Sequence, residues 1–279
     1  MSEVLVVASR TLGGERLHGR VRELAASEGA RFRLIVPQSK PSSGLVIYDE
    51  AVRDAAQARV DLAMSVIAGE GIEATGEVGD PDPFLATMDA ISDRRPDRII
   101  LSTLPSTHSG WLRRDLIERI ENASGLPVEH IITDLSQEQL PFHVALVVAN
   151  KTSRGDELIS HLREKAQSSD RQQLYIAVVP QQDGGGLAPR EARIRLAAML
   201  DRLQTEDLVS SGMIGDPDPY TAVINALELF TVDDVVISTL PGERSGWMRA
   251  ELIERVKRAT SKPVEHVVVD LTAPEAVAG

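Results

Sequence analysis

The second half of this sequence repeats the first. The stretch from Gly79 to Leu135, opening GDPDPFLATMDA and closing LPVEHIITDL, returns from Gly215 to Leu271 as GDPDPYTAVINA to KPVEHVVVDL. Gly79 and Gly215 stand 136 positions apart, as do Leu135 and Leu271, so no gap intervenes. Roughly half of the aligned positions are identical, which marks two copies of one structural unit. The expected domains are 1–140 and 141–279, joined near Gln139 to Phe142 with Pro141 opening the second copy. Each copy is long enough to bury its own core. Repetition also gives every interesting residue a second observation, although a residue kept twice can be kept for folding alone.

Within the first copy, short β-branched runs alternate with longer segments of helical spacing. Strands are expected at Val4 to Ala8, Phe32 to Pro37, Ile72 to Val78, Arg98 to Ser102 and Val128 to Thr133. Helices are expected at Gly14 to Ser27, Asp49 to Gly69, Pro81 to Ser92 and Ser109 to Ala123. The second copy places strands at Val144 to Ala149, Tyr175 to Val179, Val209 to Ile214, Asp234 to Ser238 and Val264 to Val269, and shortens the Gly/Pro/Ser-rich loop after its second strand. Alternation of this kind implies parallel pairing through helical crossovers. The predicted fold class is α/β, with two tandem doubly wound domains. Each is a Rossmann-like five-stranded parallel sheet of order 3-2-1-4-5 with helices on both faces.

Composition narrows the function. Only 3% of residues are aromatic against 42% hydrophobic overall, so the cores must be built from Val, Ile, Leu and Ala, as suits a covered parallel sheet. A formal net charge of −12 argues against nucleic-acid or anionic-membrane partners, which require a basic surface. The absence of cysteine removes thiol catalysis, disulfides and zinc–thiolate sites. The N-terminus MSEVLVVASR has neither a signal-peptide pattern nor an apolar stretch long enough to span a bilayer, so a cytoplasmic location is expected.

The ordered motifs resemble the universal stress protein family, within the adenine-nucleotide α-hydrolase-like group. They are a hydrophobic first strand ending in a polar turn (VVASRT, VVANKT), Gly-Asp-Pro after the third strand, and a fourth strand, loop and helix running IILSTLP to LIERI and LPVEHIITD, or VVISTLP to LIERV and KPVEHVVVD. The resemblance covers both copies. It implies a tandem form, an intramolecular pseudo-dimer of the repeats with pairing through the fifth strands, and a homodimer as a further partner state. It also implies an adenine nucleotide, ATP or AMP, as the ligand to consider.

The sequence departs from the family's ATP-binding signature in both copies. Ser102 and Thr103 stand at the first glycine and its neighbour, Pro105 near the second, and Arg114 with Asp115 near the closing Gly-Ser. Ser238, Thr239, Pro241, Ala250 and Glu251 hold these places in the second copy. The acidic residue that members present after the first strand is replaced by Ser9 and Asn150. A carboxylate repels phosphate and proline removes a backbone donor, so weak ATP binding or none is expected.

Ligands of open parallel sheets bind where chain order reverses, here the crevice between the first and fourth strands. Ser9, Arg10, Thr11, Ser102, Thr103, His108, Ser109, Gly110 and Arg113 converge there in the first copy. Asn150, Lys151, Thr152, Ser238, Thr239, Arg244, Ser245, Gly246 and Arg249 do so in the second. Hydroxyls and cations at a helix start suit an anion. Structural readings compete at each position: Ser109 and Ser245 as N-caps, Asp80–Asp82 and Asp216–Asp218 as helix-start carboxylates, Trp111 and Trp247 as interface packing. His130 and His266, each without a second ligand at zinc spacing, are weak metal candidates. His108 is replaced by Arg244, so the crevices share no general base. The leading expectation is a non-catalytic stress-response or regulatory protein. The alternative is an enzyme or sensor acting on an adenine nucleotide or another phosphorylated small molecule. Ile131→Arg with Val267→Arg is expected to probe pairing through the fifth strands.

Overall fold

The computed structural model describes residues 2–39, 49–105, 115–135, 137–138, 141–181, 187–242 and 251–271. Among these, two compact units separate between Pro141 and Phe142. The first contains β1 (Glu3–Val7), α1 (Glu15–Glu28), β2 (Arg31–Pro37), α2 (Asp49–Gly69), β3 (Ala74–Gly79), α3 (Pro83–Asp93), β4 (Arg98–Thr103), α4 (Leu116–Ser124) and β5 (Val128–Ile132). Its strands are all parallel, in the order β3-β2-β1-β4-β5. The second contains β6 (Phe142–Val148), α5 (Asp156–Ser168), β7 (Gln172–Pro180), α6 (Ala188–Thr205), β8 (Ser210–Gly215), α7 (Pro219–Leu229), β9 (Asp234–Thr239), α8 (Leu252–Ala259) and β10 (Val264–Val268). Its parallel sheet runs β8-β7-β6-β9-β10, the same plan.

Strand residues alternate between faces because successive side chains point opposite ways. Val4, Val6 and Ala8 join a core with Leu17, Val21 and Leu24 of α1 and Ala56, Val60 and Ala63 of α2. Leu5 and Val7 join the other, with Ala86 and Ala90 of α3 and Leu116 and Ile120 of α4. The doubly covered sheet expected from sequence is present.

Most element ends shift by a residue or two, the strand expected at Tyr175 begins at Gln172, and the helix expected from Ser109 is described only from Leu116, its earlier part lying outside the described residues; one shift is informative. The third helix begins at Pro83, not Pro81. The Asp80 carboxylate accepts from the Asp82 N–H at 2.7 Å, Asp82 caps the helix by accepting from Phe84 N at 2.8 Å, and Pro83 takes the first turn, where its missing donor costs nothing. The second copy repeats the device with Asp216, Asp218 and Pro219. The glycine of the motif permits close packing. A Cβ on Gly79 would lie 2.7 Å from Ile35 and 2.8 Å from Ala86, and one on Gly215 would lie 2.7 Å from Ala222. The whole Gly-Asp-Pro-Asp-Pro run is thus accounted for by turning and packing, as the capping reading of the aspartates expects.

Candidate functional site

The chain leaves β1 toward α1 on one face and β4 toward α4 on the other, which opens the crevice at their carboxyl ends. The predicted hydroxyls lie at these strand ends, but each is bonded to a carbonyl or side chain of a neighbouring segment. Thr11 Oγ1 donates to the Ser102 carbonyl at 3.1 Å, bridging the ends of β1 and β4. Ser9 Oγ lies 3.3 Å from the Pro37 carbonyl and 2.7 Å from Ser39 Oγ. Ser102 Oγ meets Thr133 Oγ1 at 3.2 Å, and Thr103 Oγ1 meets His130 Nε2 at 2.9 Å. All four predicted residues are at most 5% exposed.

The second unit follows the same scheme with two gaps. Thr152 Oγ1 donates to the Ser238 carbonyl at 3.2 Å, and Thr239 Oγ1 meets His266 Nε2 at 2.8 Å. Asn150 Nδ2 donates to the Pro180 carbonyl at 3.1 Å. Asn150 Oδ1 and Ser238 Oγ, however, are buried without hydrogen-bond partners among the described residues. The cause for Ser238 is a substitution: Val269 stands where the first copy has Thr133.

Arg10 and Lys151 are the exposed ones among the described members of the set. Arg10 lies close enough to the buried Arg59 of α2 to act on it: burial first, then the Arg10 charge, hold the Arg59 guanidinium down at about 10. His108, Ser109, Gly110, Arg113, Arg244, Ser245, Gly246 and Arg249 lie outside the described residues, as do Trp111 and Trp247. Among the described residues, the fourth helix of each unit starts behind Asp115 in one and Glu251 in the other. Both take left-handed backbone, φ 46° and 51°, and neither side chain makes a cap bond. That conformation is strained by roughly 1–2 kcal/mol for a residue with a Cβ.

Sequence reasoning missed two features. The arginine of the repeated Leu-Ile-Glu-Arg stacks on the aromatic residue after Gly-Asp-Pro-Asp-Pro, Arg119 over Phe84 at 4.2 Å and Arg255 over Tyr220 at 4.1 Å. In a chain this poor in aromatics, an aromatic and an arginine kept in step across both copies was the available signal. The second is an ionic chain in unit two. Lys165 Nζ bridges Asp234 (2.7 Å) and Glu265 (2.6 Å), while His161 holds Glu265 (2.7 Å) and His143 holds Asp234 (2.9 Å). No cluster among the described residues has three metal-ligating side chains suited to an ion. No helix among them is long and apolar enough to cross a membrane. An open groove of about 290 Å³, lined by Gln38, Asp49, Val52 and Pro81, lies in the first unit apart from the predicted residues.

No family model and no curated protein matches the chain. Solved universal stress proteins are similar to it. One from Archaeoglobus fulgidus is 14% identical, covering 45% of this chain and 98% of that one at a TM-score of 0.36. A second structure of a universal stress protein from the same organism is 15% identical, covering 96% of each chain at 0.34. A functionally unknown protein from Pseudomonas aeruginosa is 17% identical, covering 97% of this chain and 93% of that one at 0.35.

Proposed function

We propose that the chain is a non-catalytic, stress-response type regulatory protein of the universal stress protein kind, whose crevices do not hold ATP in the family's usual pose. The observation that carries this reading is the internal use of the crevice hydroxyls. Thr11 and Thr152 each tie the first strand of a unit to the fourth, and Thr103 and Thr239 each tie the fourth to the fifth. A hydroxyl committed to a buried bond binds a ligand only by giving that bond up, a loss of about 1 kcal/mol or more each time. Mass spectrometry of co-purified small molecules, followed by calorimetric titration with ATP, ADP and AMP, tests the reading. Weak binding or none is expected, and tight binding with turnover would overturn it.

A second reading is favoured by one observation. Arg10 and Lys151 put an exposed cation at the same place in each copy, which suits a sensor of an adenine nucleotide or another phosphorylated small molecule. Binding without turnover in the same titration, lost in Arg10→Ala with Lys151→Ala, selects it. The proposed partner surfaces are the outer edges of β5 and β10, where Ile132 and Val268 are 43% and 47% exposed at equivalent positions. An open strand edge of this kind invites pairing with another strand, in the other repeat or in a second chain.

A further inference from the structure

Helix α6 carries an apolar stripe on the side away from its sheet. Leu187 at its N-cap and Ile194 two turns later are 67% and 60% exposed, the most open large apolar side chains among the described residues. Seven residues apart, they lie on one line along the helix, which Ala198 continues one turn on. The opposite side, with Ala192, Leu196, Met199 and Leu203, holds the helix in the core of its unit. Neither that packing nor helix formation accounts for an isoleucine at an open mid-helix position, where a β-branched side chain is a poorer helix former than alanine. The repeat sharpens the contrast. The spacing of 136 that relates Gly79 to Gly215 also relates the core residues Ala56 and Val60 of α2 to Ala192 and Leu196 of α6. It sets Leu187, Ile194 and Ala198 against Ala51, Ala58 and Leu62 of α2, all three of them buried. The stripe is small and closed in the first unit; in the second it is enlarged and open.

We propose that the open stripe of α6 is the contact surface for α6 of a second copy of this chain, the two helices lying antiparallel about a two-fold axis level with residue 196. A two-fold contact must be self-complementary, and the residues of α6 meet that demand. With the axis at this level, Ile194 falls opposite Ala198 of the second copy, a large side chain against a small one, and the symmetry repeats the fit. At 100° per residue, Arg190 and Asp201 lie about 40–60° to one side of the stripe, and Glu191 and Arg202 about 40–60° to the other. The two-fold brings each flank back to the same flank. Arg190 therefore meets Asp201 of the second copy, and Glu191 meets Arg202, each pair within about 1.5 Å of level along the helix. Opposite charges face each other on both sides of an apolar centre, as in specific interfaces with a polar rim. Glu191 and Arg202 also have partners inside the unit, Arg195 at 3.7 Å and Asp156 at 3.2 Å. Arg190 and Asp201 are exposed and have no ionic partner among the described residues, so their pair is the one a second copy completes. A parallel pairing would set Ile194 against itself and align the helix dipoles; the antiparallel one opposes them.

The contact is a single helix of 18 residues, about 27 Å long. That is small for a specific interface, so association in the micromolar range or weaker is expected. Sedimentation equilibrium of the full chain from about 1 μM to about 500 μM covers this range. It is run on the native protein and on Ile132→Arg with Val268→Arg, which removes pairing through the strand edges and leaves α6 untouched. A concentration-dependent dimer is expected in both. In either background, Leu187→Ser with Ile194→Ser should weaken it roughly tenfold or more, with circular dichroism unchanged because both side chains already face water. Arg190→Glu alone should weaken association, and adding Asp201→Arg should restore it, since the pair is then reversed on both copies. A chain that stays monomeric across the range, a dimer lost with the strand-edge variants alone, or one indifferent to the serine pair would overturn the inference. A charge exchange that fails to restore association would overturn the antiparallel register.

Discussion

At the scale of single residues, the two copies differ by substitutions that change which polar atoms are satisfied. Ser102 has Thr133 as a partner, whereas Ser238 has none because Val269 occupies the equivalent place. The two sites have closely similar shapes. A Cβ on Gly14 would lie 2.2 Å from Thr133 Cγ2, and one on Gly155 would lie 2.1 Å from Val269 Cγ1, so a branched side chain fills the same hole against a glycine in both. Threonine and valine differ there by one oxygen in place of a methyl group. Val269→Thr is therefore expected to give Ser238 its missing partner and to stabilise the second unit by about 1 kcal/mol. Thr133→Val should cost the first unit a similar amount. Exchange protection in β9 and β4 reads the two effects separately, and a drop in β9 protection on Val269→Thr would show that the hydroxyl stays unmatched.

At the scale of elements, the repeated motifs hold strand and helix ends in place. Gly79→Ala and Gly215→Ala each force a Cβ against a neighbouring helix. Overpacking of this kind is expected to destabilise the affected unit by about 1–3 kcal/mol, measurable as a lower denaturation midpoint. The edge strands are less obvious from sequence. Alternation identified β5 and β10 as apolar strands but did not say which alternate set faces outward, because both sets are β-branched. The structure places Val267 in its unit's core and Ile131 against the other unit-one core residues, which leaves Ile132 and Val268 exposed. The substitutions suggested by sequence therefore strike the wrong face. Val267→Arg should unfold its unit's edge at a cost on the order of 3 kcal/mol or more, whereas Ile132→Arg with Val268→Arg should leave the folds intact and loosen whatever pairs with the edges. Hydrodynamic radius and circular dichroism, measured together on both doubles, separate these outcomes. The strands and helices were legible because periodicity and the repeat report on burial, whereas the order of the strands followed from the doubly wound plan that the resemblance implies. The internal use of the crevice hydroxyls was not, because sequence names a hydroxyl without naming what it bonds.

At the scale of the whole molecule, one plan carries two different charge patterns. Arg20 binds Glu129 through two hydrogen bonds of 2.8 and 3.0 Å in the first unit. The equivalent carboxylate in the second, Glu265, is shared between His161 and Lys165, and Lys165 continues to Asp234. Aligned on the repeated polar turn after the first strand, Lys165 corresponds to Leu24, a core residue of the first unit. The second unit has thus exchanged apolar packing for a bridging cation, and its stability depends on pH in ways the first does not copy. Burial raises the Glu265 carboxyl, but Lys165 and His161 outweigh burial and hold it below its ordinary value of 4.5. A carboxylate lowered in the folded state contributes stability that is present above the ordinary value and lost as pH falls through the folded one. For Lys165, burial works against the charged form, yet Asp234 and Glu265 raise it above 10.5, so its contribution is present below 10.5 and lost as pH rises through the folded value. Glu265→Gln should lower second-unit stability at neutral pH, with a loss that shrinks as the solution is acidified below about 4.5, where the carboxylate of the unfolded chain takes up its proton ahead of the native one. Both partners are partly exposed, so the neutral-pH loss should also diminish with added salt. Exchange protection of β10 in the variant and the native chain, compared at neutral pH and near pH 4, gives the measurement. A difference that stays constant across that range would mean that the bridge contributes through packing and not through charge.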